Sequence, residues 1–373
     1  MIPSASRSTS IGRTRRALAA ALLGAGAALA SAAQDPAPPT ISVGLTQLEA
    51  GALPVTLAYP STSPAAALRT GSFELQVAAD GEPAPGRRPL VVMSHGSAGS
   101  TLADHALAAT LVRAGFVVAQ PLHAGDNHLD SSRAGPEAWQ TRTAEVSQVI
   151  DMLAAHPGWQ HRLMLDRVAV HGMSAGGGTA LAMAGGRWST LQLVRHCQQY
   201  ADDDPGFCFS GLPDPDAQAA RRARFESARG VPSLFLPATM RAEHGGRKRA
   251  ADPRPDPRVA SVSVAVPVAA PFLADSLAAI RVPVGVVSAG HDSLLWPPAH
   301  SDRLLHHCKA CQPLTHLAQA AHFDLLAPWP ADVAARVAAL QAHGGEPSAS
   351  FDPADRQRAF DAIAAFHLRV LAP

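Results

Sequence analysis

Five consecutive residues, Gly172-Met173-Ser174-Ala175-Gly176, set a hydroxyl between two glycines, directly after the apolar run Val168-Ala169-Val170 and ahead of an Ala-rich segment. A strand that turns sharply into a helix needs this composition. The serine is lifted above the sheet in a strained backbone conformation, and a side chain at 172 or 176 would collide with the neighbouring strand or helix. Such a serine can attack a carbonyl carbon, provided a base takes its proton. Two backbone N–H groups must then receive the charge that develops on the carbonyl oxygen, and losing one costs about 3 kcal/mol. One is expected from Ala175, at the start of the helix. The other is expected from Ser97 in Ser94-His95-Gly96-Ser97-Ala98-Gly99, a loop that follows the apolar run Leu90 to Met93.

An acid and a histidine should then follow in that order along the chain. Ser288-Ala289-Gly290-His291-Asp292 closes the apolar run Val282 to Val287, which puts Asp292 at the edge where parallel sheets place their sites. Asp302 lies further along, in a helical stretch. Of the 17 histidines, His322 in Ala320-Ala321-His322-Phe323-Asp324 lies downstream of the acid and after the last strand. His291 adjoins the acid, so its side chain points elsewhere, and His306 and His307 precede the final strand. The expected set is therefore Ser174 as nucleophile, His322 as base and Asp292 orienting it, with Asp324 as reserve acid. The loop His123 to His128 follows a strand at the same edge and is expected to line the acyl or alcohol pocket.

Parallel strands must carry these residues. Leu90–Met93, Phe116–Ala119, Val168–Val170, Val262–Val266, Val282–Val287 and, more weakly, Leu314–Leu317 are short apolar runs of the kind buried on both faces. Helical segments at 102–114, 137–155, 175–184, 331–342 and 353–371 alternate with them. That rhythm gives an α/β fold with a mostly parallel central sheet and helices on both faces. Ile41–Leu48, Leu53–Tyr59 and Phe73–Val77 read as an antiparallel meander ahead of it. Between about 187 and 258 no buried strand is apparent, and a cap-like insertion is expected there.

Arg13, Arg15 and Arg16 precede an Ala/Leu-rich run from Ala17 to Ala30 and the small residues Ser31-Ala32-Ala33. This is the layout of a secretory signal over residues 1–33, with residues 34–373 as the exported domain, periplasmic or secreted. Fourteen apolar residues fall short of a permanent span, so no stable membrane span is expected after signal removal. In an oxidising compartment the four cysteines should pair, and the local pairs Cys197–Cys208 and Cys308–Cys311 are favoured. Cys308-Lys-Ala-Cys311 lacks the second half of a zinc pattern, so no metal site is expected. Lys+Arg 31 against Asp+Glu 30 leaves no basic excess for a nucleic acid.

Pro-Leu-Val-Val-Met-Ser-His-Gly-Ser-Ala-Gly-Ser (89–100), Gln-Pro-Leu-His-Ala-Gly-Asp-Asn (120–127), Asp-Pro-Arg-Val-Ala-Ser-Val (256–262) and Ala-Ile-Arg-Val-Pro-Val (279–284) carry a family resemblance. The chain resembles the secreted, serine-dependent branch of the dienelactone hydrolases and is similar to platelet-activating-factor acetylhydrolases. The resemblance runs from about Val43 to His322. It implies an α/β-hydrolase fold and cleavage of carboxylic esters, small-molecule or lipid-like, without metal or organic cofactor. Dienelactone hydrolases in the strict sense use cysteine where this chain has Ser174, which argues against a dienelactone substrate. Three readings follow in order: a secreted carboxylesterase, a lipase, phospholipase or polyester hydrolase, and an inactive binding protein on the same scaffold.

Overall fold

The computed structural model describes residues 41–209, 255–326, 329–340 and 348–372, with a few isolated residues between 216 and 223. Its frame is a ten-stranded sheet in the order β10-β9-β8-β7-β5-β6-β2-β1-β4-β3. The strands are β1 (Ser42–Ala50), β2 (Leu53–Ser61), β3 (Ala66–Thr70), β4 (Phe73–Ala79), β5 (Arg88–Ser94), β6 (Val117–Pro121), β7 (Leu163–Met173), β8 (Val259–Ala265), β9 (Val284–Ala289) and β10 (Cys311–Leu317). The six strands from β6 to β10 across the sheet run parallel. The meander of β1, β2 and β4 joins them through the antiparallel pair β2–β6.

Alternation along a strand sends successive side chains to opposite faces. Leu90, Val92, Val168 and Val170 enter one apolar cluster. Their neighbours Val91, Met93 and Ala169 enter the other. Helices cover both sides: α2 (Pro136–Ala155) and α3 (Ala175–Met183) supply Val146, Ile150 and Leu181 to the first, while α1 (His105–Arg113) and the C-terminal helix (Pro353–Leu371) supply Leu111 and Ile363 to the second. The continuous apolar runs in the sequence have this two-sided burial as their cause.

Chain order places the site. β5 leads to β6 on one side, and the chain then crosses back to lay β7 on the other side of β5. The crevice beyond the C-terminal ends of β5 and β7 is thus the switch point of the sheet, where ligands bind in open α/β folds. The loop Ser94–Gly99 leaves β5 there and Ser174 leaves β7.

Some elements differ from the sequence reading. β3 is an addition to it: its residues are mostly exposed at the sheet edge, so no apolar pattern marks it. The first helix begins at His105 rather than Leu102, because residues 100–104 form turns closed by Ala103 N–H to Ser100 O and His105 N–H to Leu102 O. The segment expected as an insertion opens with α4 (Thr190–Tyr200) and α5 (Pro205–Phe209), and most of the remainder lies outside the described residues. After β8 come α6 (Ala274–Ala279) and α7 (Ser301–His307), then α8 (Ala331–Leu340) and α9 (Pro353–Leu371). Cys197–Cys208 and Cys308–Cys311 are both bonded. The expected signal at 1–33 lies outside the described residues, and among those described no helix is long and apolar enough to cross a membrane.

Candidate active site

Ser174 stands between β7 and α3 with φ 57° and ψ −119°, a conformation that costs a non-glycine residue of order 1–3 kcal/mol. Its neighbours hold it there: Ser174 N–H donates to Ala265 O at 3.0 Å, and Ser174 O accepts from Val268 N–H at 2.9 Å. The glycines make the bend possible. A Cβ at Gly172 would run into the Gly176 carbonyl, and one at Gly176 would run into the Ser94 carbonyl on β5. Ser174 remains partly open, while Ala175 behind it is buried. Among the described residues the Ser174 hydroxyl has no hydrogen-bond partner.

The candidate acid and base follow β9 and β10. Beyond β9 and β10 the chains stay zipped, by Gly290 N–H to Leu317 O and His291 N–H to Ala320 O, both 2.9 Å. Asp292 and His322 therefore meet: His322 Nδ1 lies 2.8 Å from Asp292 Oδ2, and both side chains are buried. Asp292 Oδ1 is occupied by the N–H groups of Leu294 and Leu295, at 3.0 and 2.9 Å. A carboxylate only accepts, so the proton of that bond sits on Nδ1 and the free lone pair of the imidazole on Nε2. This is the tautomer a general base needs. Asp324, the reserve acid, does other work. Its Oδ2 accepts from Ala321 N–H at 2.8 Å and Ser348 N–H at 2.9 Å, which caps the 3₁₀ turn His322–Leu325.

The loop after β5 lies against Ser174, with a Cβ at Gly96 falling 3.4 Å from Ser174 Cβ. Two of its three outer N–H groups are committed: Ala98 N–H to Asp126 Oδ1 at 2.9 Å and Gly99 N–H to Gly96 O at 3.2 Å. Among the described residues Ser97 N–H has no intramolecular acceptor. The committed bonds hold Ala98 at φ 53°. The first N–H groups of helix α3, Ala175 among them, likewise have no acceptor within their own helix.

Residues 76–194 match the dienelactone hydrolase family. No curated protein matches. Among solved structures, a ferulic acid esterase from Streptomyces cinnamoneus superposes with a TM-score of 0.55 at 19% identity, over 90% of this chain and 92% of that one. The chain has the α/β-hydrolase fold. It is dienelactone hydrolase-like in the span that contains the β5 loop, the β6 exit and the Ser174 turn.

The site carries a buried support that the motifs did not point to. Arg142 on α2 is fully buried and reaches His95 O at 2.7 Å, Gly96 O at 3.4 Å, Asp126 O at 3.2 Å and Asp126 Oδ2 at 2.7 Å. Asp126 passes the grip on, accepting from Ser97 Oγ at 2.6 Å and from Ala98 N–H. The segment 123–128, expected to line the pocket, braces the β5 loop: His128 N–H bonds Gly99 O, and His123, Asp126 and Asn127 are buried. His123 Nε2 lies 2.8 Å from Ser94 Oγ, and its Nδ1 lies 2.6 Å from Glu145 Oε2. Burial, then the Arg142 charge, holds the His123 pKa well below the ordinary value. His95 is held down by burial first, then by His123 and Arg142. Glu145 is raised, chiefly by burial.

Proposed function

We propose that the chain is an exported serine hydrolase that cleaves carboxylic esters through Ser174, His322 and Asp292, by way of an acyl-enzyme. The observation that carries this reading is the buried Asp292–His322 pair. Its bonding leaves Nε2 as an acceptor at the sheet edge where the strained turn raises Ser174. The Oγ attacks the ester carbonyl as His322 Nε2 takes its proton, and Asp292 steadies the imidazolium that forms. The carbonyl oxygen gains charge and accepts from Ala175 N–H and Ser97 N–H, each worth about 3 kcal/mol in the transition state. Collapse breaks the bond to the alcohol oxygen, which takes the proton from His322. Water then attacks the acyl-enzyme by the same two proton transfers and releases the acid.

The dienelactone hydrolase match supports ester chemistry, and Ser174 in place of cysteine favours simple esters over dienelactones. The Arg-led apolar N-terminus and two disulfides support export to an oxidising compartment. The test is turnover of p-nitrophenyl esters of rising chain length, with methyl ferulate added because the structural neighbour is a ferulic acid esterase. Ser174→Ala should keep the wild-type unfolding midpoint and lose at least about 10⁴-fold in kcat. An organophosphonate should label Ser174, located by peptide mass. Full activity in the alanine variant would remove Ser174 from the reaction, and a rate that climbs with chain length would move the substrate toward lipids.

A further inference from the structure

Asp204 ends the acidic run Asp202-Asp203-Asp204, yet it is fully buried while the two residues before it are exposed. Its Oδ2 lies 2.7 Å from His196 Nε2 and 2.9 Å from His300 Nε2, and its Oδ1 accepts from Trp296 N–H at 3.0 Å. Burial pushes this carboxyl up. The hydrogen bonds from His196, His300 and the Trp296 N–H outweigh it and hold the pKa at about 2, so the group is ionised at neutral pH.

Two imidazoles and a carboxylate whose ligand atoms lie within 4.8 Å of one another could suggest a metal cage. The bond on the far side of His300 argues otherwise. Ala269 N–H donates to His300 Nδ1 at 3.0 Å, so that nitrogen carries a lone pair and the ring proton is on Nε2, facing Asp204. A metal on Nε2 would need the opposite tautomer, with Nδ1–H set against an N–H. The cluster is a hydrogen-bond node.

What the node holds is the loop that follows Asp292. Trp296 and His300 both belong to it, so one carboxylate grips it at two points. Between them the loop is closed by Ala299 N–H to Trp296 O and His300 N–H to Pro297 O, both 3.0 Å. A third contact comes from Gly206, where a Cβ would meet Leu294 Cα and Ser293 O at 2.6 Å, so α5 rests directly on the turn that wraps Asp292. Asp204 in turn is enclosed by the Cys197–Cys208 disulfide, which ties α4 to α5. The acid's own bonds, from Leu294 and Leu295, are local to the loop. From outside, Ala269 N–H holds His300 Nδ1, and the contacts from 196–208 hold Trp296, His300 and the Ser293–Leu294 turn.

We infer that Asp204 is a positioning residue of the ester-cleaving reaction: it clamps the 293–300 loop so that Asp292 keeps its bond to His322. The inference rests on the proposed triad. Asparagine cannot serve in its place, because its amide NH₂ would face either the Trp296 N–H or the two imidazole N–H donors.

The test is a double-mutant cycle on Asp204→Asn and Asp292→Asn, read with p-nitrophenyl acetate and scaled to serines titrated by an organophosphonate. Asp204→Asn should lower kcat roughly 10- to 100-fold with KM within about threefold of wild type. In the Asp292→Asn background it should cost less than about threefold more, because the residue it acts through is already gone. The far-downfield proton resonance of the Asp292–His322 bond should be present in Ser174→Ala and lost or broadened in Asp204→Asn. Should Asp204→Asn not fold, His300→Gln and His300→Leu replace it. Gln can keep both bonds of His300 and should rescue most of the loss seen with Leu. Equal losses in both backgrounds, or an unchanged resonance, would overturn the inference. Activity surviving in Ser174→Ala would instead overturn the triad itself, and an inactive Ser174→Ala beside a fully active Asp204→Asn would leave the triad standing and remove Asp204 alone.

Discussion

Arg142 shows why a buried charge can be worth its desolvation. A guanidinium donates five N–H bonds in a fixed fork, and here the fork spans two carbonyls of the β5 loop together with the carbonyl and carboxylate of Asp126. Burial lowers its pKa, while the Asp126 and Glu145 charges oppose the shift. Lysine offers one ammonium and cannot reach all four acceptors. Arg142→Lys should therefore destabilise the fold by about 3 kcal/mol, as broken buried pairs do, and lower kcat by loosening the Ser97 donor. Urea titration and kinetics on p-nitrophenyl acetate read the two effects. A variant with unchanged midpoint and rate would show that the loop stands without the fork. The residue was open to discovery in the sequence: Ala138, Arg142, Val146, Val149 and Leu153 form one helical stripe, all of it buried, and an arginine in an apolar stripe marks a buried partner.

At the level of elements, the parallel strands and the Ser174 turn were legible because each is fixed locally. β5, β7 and β9 are apolar runs buried on both faces, and the turn needs glycine at two fixed offsets from Ser174. The Asp292–His322 pair was legible from chain order, since successive parallel strands deliver their loops to one edge. What escaped was set by long-range partners. β3 has no buried face, and Asp204 sits in an acidic run that reads as solvated until His196 and His300 are brought to it. The role of 123–128 as a brace was hidden for the same reason: its place after a strand at this edge suggested the pocket, and only the fold shows its buried polar groups bonded to the β5 loop. The turn itself gives the sharpest prediction at this scale. Gly172→Ala sets a methyl against the Gly176 backbone carbonyl, which cannot swing aside as a side chain would. It should cost about 3 kcal/mol or more, as severe overpacking does, and yield little soluble protein. Met173→Leu, a volume-conserving swap one residue on, should cost less than about 1.5 kcal/mol. Equal urea midpoints for the two variants would mean that the elbow is not closely packed.

For the molecule as a whole, buried histidines decide the response to acid. His171, Ser263, His367 and Ser261 form a chain of hydroxyl–imidazole bonds of 2.7 to 2.8 Å that ties β7 and β8 to α9. Burial drives the pKa of His171 to about 3. His367 falls to about 3 as well, by burial and then by the nearby His171. His95 and His123 are also held far below 6.5. The unfolded chain binds a proton at each of these positions below about pH 6.5 and the folded chain does not. Unfolding therefore takes up protons, and stability falls as pH drops, by about 1.4 kcal/mol per pH unit for each histidine. Asp104 acts in the opposite sense. Burial raises its pKa to about 7, so between pH 3.8 and 7 the folded state holds a proton that the unfolded state has released, and acidification favours folding by one proton. The histidines outnumber Asp104 and Glu145, whose pKa burial also raises, so on balance unfolding takes up protons. The urea unfolding free energy should thus fall as the pH drops from 6 to 5, by about 1.4 kcal/mol per unit for each proton of net uptake. His367→Gln keeps a side chain that can still bond Ser261 and Ser263, and it should remove one proton from that slope. A slope that is flat, or unchanged between the His367→Gln variant and wild type, would mean that these imidazoles take up protons without unfolding the chain.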